Sequence, residues 1–218
     1  VVRHIRRKDG SWTFDYSVFD EYVAFGRSCG IGPDIACYTM CPWEYEAAWE
    51  TEDGKTERAK LLPGTPAFED YWGAFLADFR KHVAEKGWLG DVYIAMDERS
   101  PEDVMIIANF IQAKAPGLRI SLAGNRPPSQ FKGIRIHNCC FGLKHLTDDL
   151  VAEAAARRQQ GLITTYYVCC SPPYPNTFMS SEREEAFWLG AYPAMVGLDG
   201  FLRWAWNSWS RDPIANPS

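Results

Sequence analysis

At 218 residues, with 46% hydrophobic and 23% charged residues, the chain has the make-up of a globular protein with one sizeable core. Its net charge of −5 argues against nucleic acid as a partner, because phosphate backbones are held by clustered Lys and Arg, and the one basic run, residues 3–8, reads as a solvated strand end. No apolar stretch approaches the roughly 20 residues of a membrane span, and the start has no signal-peptide apolar core; the missing initiator Met suggests a mature product, an excised domain or a fragment.

A short first strand is expected over residues 1–5. A helix opens near Ser17, with Val18, Phe19, Tyr22, Val23 and Phe25 along one side and Gly30 at its end. Residues 34–40 are short and apolar enough for a buried strand, and residues 41–64 read as a long irregular stretch. Thr65 then caps a helix with Pro66 at its first position, and Phe68, Tyr71, Trp72, Phe75, Leu76, Phe79 and Val83 form its apolar stripe as far as Gly87. The strand over residues 92–96 runs straight into Asp97-Glu98. Ser100-Pro101-Glu102-Asp103 opens the next helix, closed by Pro116-Gly117.

Further strands are expected over residues 118–123, 134–137, 162–168 and 201–206, with helices over 147–160 and from Ser181 to about Val196. Ser181 and Glu184 form a capping box for the latter, and Pro193 bends or shortens it. Seven strands separated by helices, with no hairpin signal between them, predict an α/β fold of the (β/α)₈ TIM-barrel type. At 218 residues it falls one unit short of the usual ~250, as a single domain over residues 1–218. An open doubly wound sheet is the structural alternative; no G-x-G-x-x-G follows any strand, which weakens its nucleotide-binding form.

The seven cysteines include two vicinal pairs, Cys139-Cys140 and Cys169-Cys170. Their uneven spacing does not suit a disulfide framework, and the C-x-x-C of zinc ribbons is absent, so they read as small buried apolar residues. Nine Trp and 10 Tyr suit stacking against sugar rings, and suit a well-packed core equally.

In a barrel the chemistry sits at the C-terminal ends of the strands. That rule selects Tyr38, Asp97, Glu98, Asn125, His137, Asn138, Tyr166, Tyr167 and residues 203–209. Asp97-Glu98 is the one pair of carboxylates at a strand end. The apolar run before it is expected to dehydrate both groups partly, and adjacent carboxylates resist ionising together, so one is expected to stay protonated as a general acid requires. No H-E-x-x-H, His-x-His or G-x-S-x-G is present, and no Lys ends a strand.

Residues 93–99, Tyr-Ile-Ala-Met-Asp-Glu-Arg, resemble the Asp-Glu segment of glycoside hydrolase family 123, as does Gly-Phe-Leu-Arg-Trp-Ala-Trp-Asn-Ser-Trp at 200–209. Residues 9–16, 37–43 and 166–178 are similar to that family as well, and the segments stand in the expected order over nearly the whole chain. The resemblance implies an exo-acting, retaining β-N-acetylgalactosaminidase without metal or organic cofactor. Glu98 would be the general acid/base, and Asp97 would orient the 2-acetamido group whose carbonyl oxygen attacks the anomeric carbon. Tyr38, Trp43, Tyr167, Trp204 and Trp209 are the candidate stacking rings, and Asn125 and Asn207 the candidate polar contacts. Against the family pattern the first barrel strand, the last helix and an N-terminal β-rich domain are missing. Relatives imply an exported bacterial protein, periplasmic or extracellular, with a glycan or glycoconjugate substrate. Two rival readings are a non-catalytic carbohydrate-binding barrel and a metal-dependent barrel enzyme.

Overall fold

The computed structural model describes residues 2–38, 40–203, 211, 212, 214 and 215. The chain divides into two compact units, Val1–Ser121 and Leu122–Ser218. The first holds β1 (Arg3–Arg6), β2 (Trp12–Asp15), α1 (Ser17–Ser28), β3 (Ile35–Tyr38), β4 (Glu46–Thr51), β5 (Thr56–Lys60), α2 (Pro66–Glu85), β6 (Val92–Met96) and α3 (Pro101–Lys114). After β7 (Arg119–Gly124), which crosses the boundary, the second holds β8 (Asn138–Gly142), α4 (Asp148–Gln159), β9 (Ile163–Val168), α5 (Arg183–Val196) and β10 (Gly200–Arg203).

Two Asp-Gly dipeptides set the architecture of the first unit. Gly10 and Gly54 both take positive φ, +85° and +83°, which a side chain rarely tolerates but a tight hairpin turn requires. Asp9-Gly10 folds β2 back antiparallel on β1, with His4 opposite Phe14. Asp53-Gly54 does the same for β4 and β5, where Thr51 donates its N–H to the Lys55 carbonyl at 2.8 Å. Parallel pairing of β1 with β4 joins the hairpins into a four-stranded mixed sheet in the order β2-β1-β4-β5.

This sheet overturns the barrel expected from the sequence. Residues 1–5 were needed there as a barrel strand and 41–64 as an irregular loop, yet both belong to a separate, partly antiparallel sheet. Among the described residues the second sheet holds six strands, β3, β6, β7, β8, β9 and β10, and not the eight of a (β/α)₈ barrel. Its described pairings, β3 with β6 and β9 with both β8 and β10, are parallel. The molecule is a mixed α/β protein, in which the two turn signals outweigh the βα rhythm.

Helix α2 forms as its pattern predicts. The Thr65 hydroxyl accepts the Phe68 N–H at 3.3 Å, and every residue of the predicted stripe is buried. Helix α1 departs from its pattern: of the five apolar residues on the predicted face only Phe19 and Val23 are buried, while Val18, Tyr22 and Phe25 are exposed.

In the second unit the strand expected over residues 134–137 lies instead at Asn138–Gly142. The ladder to β9 begins at Asn138 opposite Ile163, and the Ile136 carbonyl just before it accepts from Arg157 at 3.0 Å. The alternating Ile134 and Ile136 imitated a strand, whereas the real one is Asn-Cys-Cys-Phe-Gly, buried from Cys139 onward and without the alternation of a half-exposed strand. Helix α5 starts one residue later than expected, with Glu182 as N-cap and Glu185 closing the box. Glu185 is chosen because it is buried and also accepts the Asn176 N–H, at 2.7 Å. Pro193 is accommodated in the last turn, and the helix runs on to Val196. Proline cannot bond the carbonyl four residues back, and that carbonyl, of Leu189, accepts the buried Tyr166 hydroxyl instead.

Candidate functional site

The acidic pair follows from β6, whose five residues are all buried. The strand ends in solvent at its last step: Asp97 is half-buried and Glu98 exposed, so the expected dehydration of both groups does not extend to Glu98. The Glu98 backbone N–H donates to Asp97 Oδ1 at 2.9 Å, which turns the Asp97 carboxylate back over its own loop and fixes its orientation. On the neighbouring strand, Tyr38 is in register with Ala95, two residues before Asp97, and its ring is half exposed.

Residues 41–45 are braced onto this loop. Arg99 lies with its guanidinium 4.2 Å from the centre of the Trp43 ring, donates Nη1 to the Trp43 carbonyl at 3.4 Å, and sits 5.5 Å from the Tyr45 ring. Tyr45, which takes a left-handed φ of 55°, donates its hydroxyl to Asp103 Oδ2 at 2.9 Å in the first turn of α3, and that bond raises its pKa. Trp43 is thereby held on one face by a cation while 59% of it stays exposed. Arg99 Nε and Nη2 are buried with no hydrogen-bond partner. The aromatics of residues 41–64, Trp43 and Tyr45 among them, read from the sequence as a binding rim, whereas Arg99 carries no sequence assignment; a cation next to two carboxylates was the available signal.

In the second unit the two faces of the strands differ. Tyr166 and Val168 point to the helices, packing with Ala154, Leu189 and Leu198, and Phe201 of β10 joins them. Tyr167 points the other way, with Ala123, Cys140 and Leu202. Tyr166, chosen with Tyr167 by the strand-end rule, is therefore a packing residue. Tyr167 stands opposite Gly142 in the β8–β9 ladder.

Gly142 has an ordinary extended conformation, φ −60° and ψ 134°, so the backbone does not require glycine there. The space around it is tight: a methyl group at this position would lie 3.2 Å from Asn125 Oδ1, 3.3 Å from the Tyr167 hydroxyl and 3.4 Å from His145 Cδ2, so these side chains would have to give by a few tenths of an ångström. Two predicted substrate contacts, Asn125 and Tyr167, are thus brought together, with His145 as a third polar neighbour that the sequence reading did not select. The loop after β9 is locked by Asn176, whose buried amide donates to the Cys169 and Pro172 carbonyls at 3.1 and 2.6 Å. Arg203 donates to the Val168 and Cys169 carbonyls and to Thr177 Oγ1. Trp204, Asn207 and Trp209 lie outside the described residues.

Among the described residues no group of three or more His, Cys, Asp or Glu is placed to hold a metal ion, and no helix is long and apolar enough to cross a membrane. The family described as "Glycoside hydrolase 123, catalytic domain" matches over residues 1–218. Among solved structures, the chain is similar to a family 123 glycoside hydrolase from Clostridium perfringens studied for glycolipid glycan hydrolysis, with 31% identity and a TM-score of 0.88. The match covers 98% of this chain and 39% of that one, so the chain spans well under half of the relative's length. No curated protein gives a significant match.

Proposed function

The chain belongs to glycoside hydrolase family 123, and from that premise we propose that it hydrolyses terminal β-linked 2-acetamido-2-deoxy sugars, N-acetylgalactosamine foremost, on glycoconjugates. The observation that carries the reading is the placement of Asp97 and Glu98 side by side at the end of a buried strand, with Asp97 oriented by the Glu98 N–H. Ordinary retaining glycosidases place an acid and a nucleophilic carboxylate about 5–5.5 Å apart across the scissile bond. Two consecutive residues at one strand end do not reach both sides of a sugar ring. A nucleophile supplied by the substrate removes that requirement.

In this mechanism the Glu98 carboxyl gives its proton to the glycosidic oxygen as the bond to the anomeric carbon breaks. The acetamido carbonyl oxygen attacks that carbon from the opposite face, forming a cyclic oxazolinium ion. Asp97 accepts the acetamide N–H and stabilises the positive charge that develops there. Glu98, now a carboxylate, takes a proton from water as the water opens the ring, and two inversions return the original anomeric configuration. The exposed position of Glu98 lets leaving group and water reach it. Within the first unit, Tyr38 and Trp43 are the rings for the sugar faces beside the acidic pair. The glycolipid glycan hydrolysis ascribed to the Clostridium perfringens relative supports a glycoconjugate as substrate.

The test is hydrolysis of an aryl β-N-acetylgalactosaminide beside the matching aryl β-galactoside. Only the acetamido sugar is expected to be cleaved. Glu98→Gln is expected to lower kcat by on the order of 10²–10⁴ on a poor leaving group, while KM changes little. Equal cleavage of both sugars, or unchanged turnover in the variant, overturns the mechanism.

A further inference from the structure

The chain carries two vicinal cysteine pairs that look alike in sequence, and the fold treats them oppositely. Cys139 and Cys140 lie within β8 (Asn138–Gly142), where successive side chains point to opposite faces of the sheet. Both are buried, at 0% and 2% exposure, and burial pushes each thiol up to about 12. Neither the direction of their side chains nor their ionisation lets them act on one atom together.

Cys169 and Cys170 come just after β9 (Ile163–Val168), in a loop where no ladder imposes alternation. Both thiols are free, Cys169 half-buried and Cys170 exposed, and their Sγ atoms are 3.6 Å apart. That is well beyond the ~2.05 Å of a disulfide bond and close to van der Waals contact, so the two sulfurs share one small solvent-accessible space. The loop that presents them is pinned. The Cys169 carbonyl accepts from both Asn176 Nδ2 and Arg203 Nη1, each at 3.1 Å, and the amide of Asn176 is fully buried.

We propose that Cys169 and Cys170 form a chelating dithiol site that binds a trivalent arsenical through both sulfurs. A tetrahedral cation such as zinc takes four protein donors in a structural site, and no cluster of three or more candidate ligands exists among the described residues. Soft thiol donors favour soft centres, and a monosubstituted trivalent arsenic needs two sulfurs and no more. The reaction is a condensation: two S–H bonds break, two As–S bonds form, and the arsenic-bound oxygen leaves as water with both protons. Arsenic stays trivalent, and no oxidant is involved. Because the second sulfur is already held beside the first, its attachment is intramolecular and adds little loop-closure cost.

The remaining thiols do not compete. Burial pushes Cys37 up to about 12 and Cys41 up to about 11, which removes the thiolate that does the attacking, and Cys29 is exposed but has no adjacent cysteine in the chain. The proposal is independent of the glycosidase reading.

The experiment is titration of the native protein with phenylarsine oxide, read by intact mass and by counting free thiols. The expected result is one adduct per chain with two thiols consumed, reversed by ethanedithiol and resistant to a large excess of 2-mercaptoethanol. Cys170→Ser is expected to weaken the adduct by on the order of 10²-fold and to make it reversible by the monothiol, whereas Cys29→Ser leaves it unchanged. Peptide mapping of the wild-type adduct supplies a readout that does not depend on the folding of a variant, and arsenic is expected on the peptide with residues 169–170. One thiol consumed per reagent, or arsenic on Cys29 or on the 139–140 pair, overturns the proposal.

Discussion

Each unit is held together internally by a different kind of interaction. In the first, α2 lays Tyr71, Trp72, Phe75 and Phe79 against rings from the hairpins and from α1. His4 is stacked between Tyr71 and Phe75 at 4.9 and 4.8 Å, and Phe19 meets Phe79 edge-on at 5.4 Å. In the second, parallel strands are locked to their helices by polar groups, buried around Arg157 and more exposed around Asp199. Arg157 donates to Thr164 Oγ1 and to the Ile136 and Ile163 carbonyls, and Asp199 accepts both the Thr164 N–H and Arg158 Nε. Ring packing depends on area and volume, and some shape change is tolerated. A polar lock depends on angles, and removing one partner strands the others. The unit with the acidic pair therefore presents it from a ring-packed scaffold, while the unit with Tyr167 depends on a few directional contacts.

That contrast is sharpest at single residues. Phe79 is 1% exposed, and Phe79→Ala leaves a cavity expected to cost about 3–5 kcal/mol. A larger aliphatic residue such as Leu should recover most of that, as read by urea midpoints. Arg157→Met fills the space almost as well but orphans two backbone carbonyls, with an expected loss of about 3 kcal/mol. Recovery by Arg157→Lys should be poor, because a single ammonium does not reproduce the planar fork. If Arg157→Met proves as mild as Phe79→Leu, the distinction between the two units fails.

A smaller effect concerns pH. Burial lowers the pKa of His4 from 6.5 to about 4, and its Nδ1 has no hydrogen-bond partner. In the unfolded chain His4 takes up a proton as pH falls through about 6.5, while in the folded chain it does so only near 4. Stability is thus complete above about 6.5 and declines between 6.5 and 4, by about 2–3 kcal/mol for this group. Carboxylates with lowered pKa, such as Asp15, Asp20 and Glu50, add their own losses at lower pH. The difference between wild type and His4→Phe isolates the histidine. Unfolding free energies at pH 7.5 and 4.5 should converge more closely in the variant, and parallel declines would show that His4 is solvated.

Much of the candidate site could be read from the chain. The apolar run over residues 92–96 followed by Asp97-Glu98, the capped helices on either side of it, and the family resemblance all depend on local signals, and each keeps its predicted place. Arg99 did not stand out, because its partners Trp43 and Tyr45 are more than 50 residues away in the chain. The convergence of Asn125, Tyr167 and His145 on Gly142 was equally hidden, since it arises from three separate segments.

By itself the sequence determined the local pieces: the stripe of α2, the caps at Thr65 and Ser100, and the acidic pair at a strand end. These follow from periodicity and from backbone groups that must find partners within a few residues. Only the tertiary structure decided how the pieces pair. It made residues 3–6 a hairpin strand and not a barrel strand, left Tyr22 and Phe25 of α1 exposed, and turned one vicinal cysteine pair apart while bringing the other together. Sheet pairing and side-chain direction depend on which distant strand lies alongside, and that choice is made by the packing of the whole chain.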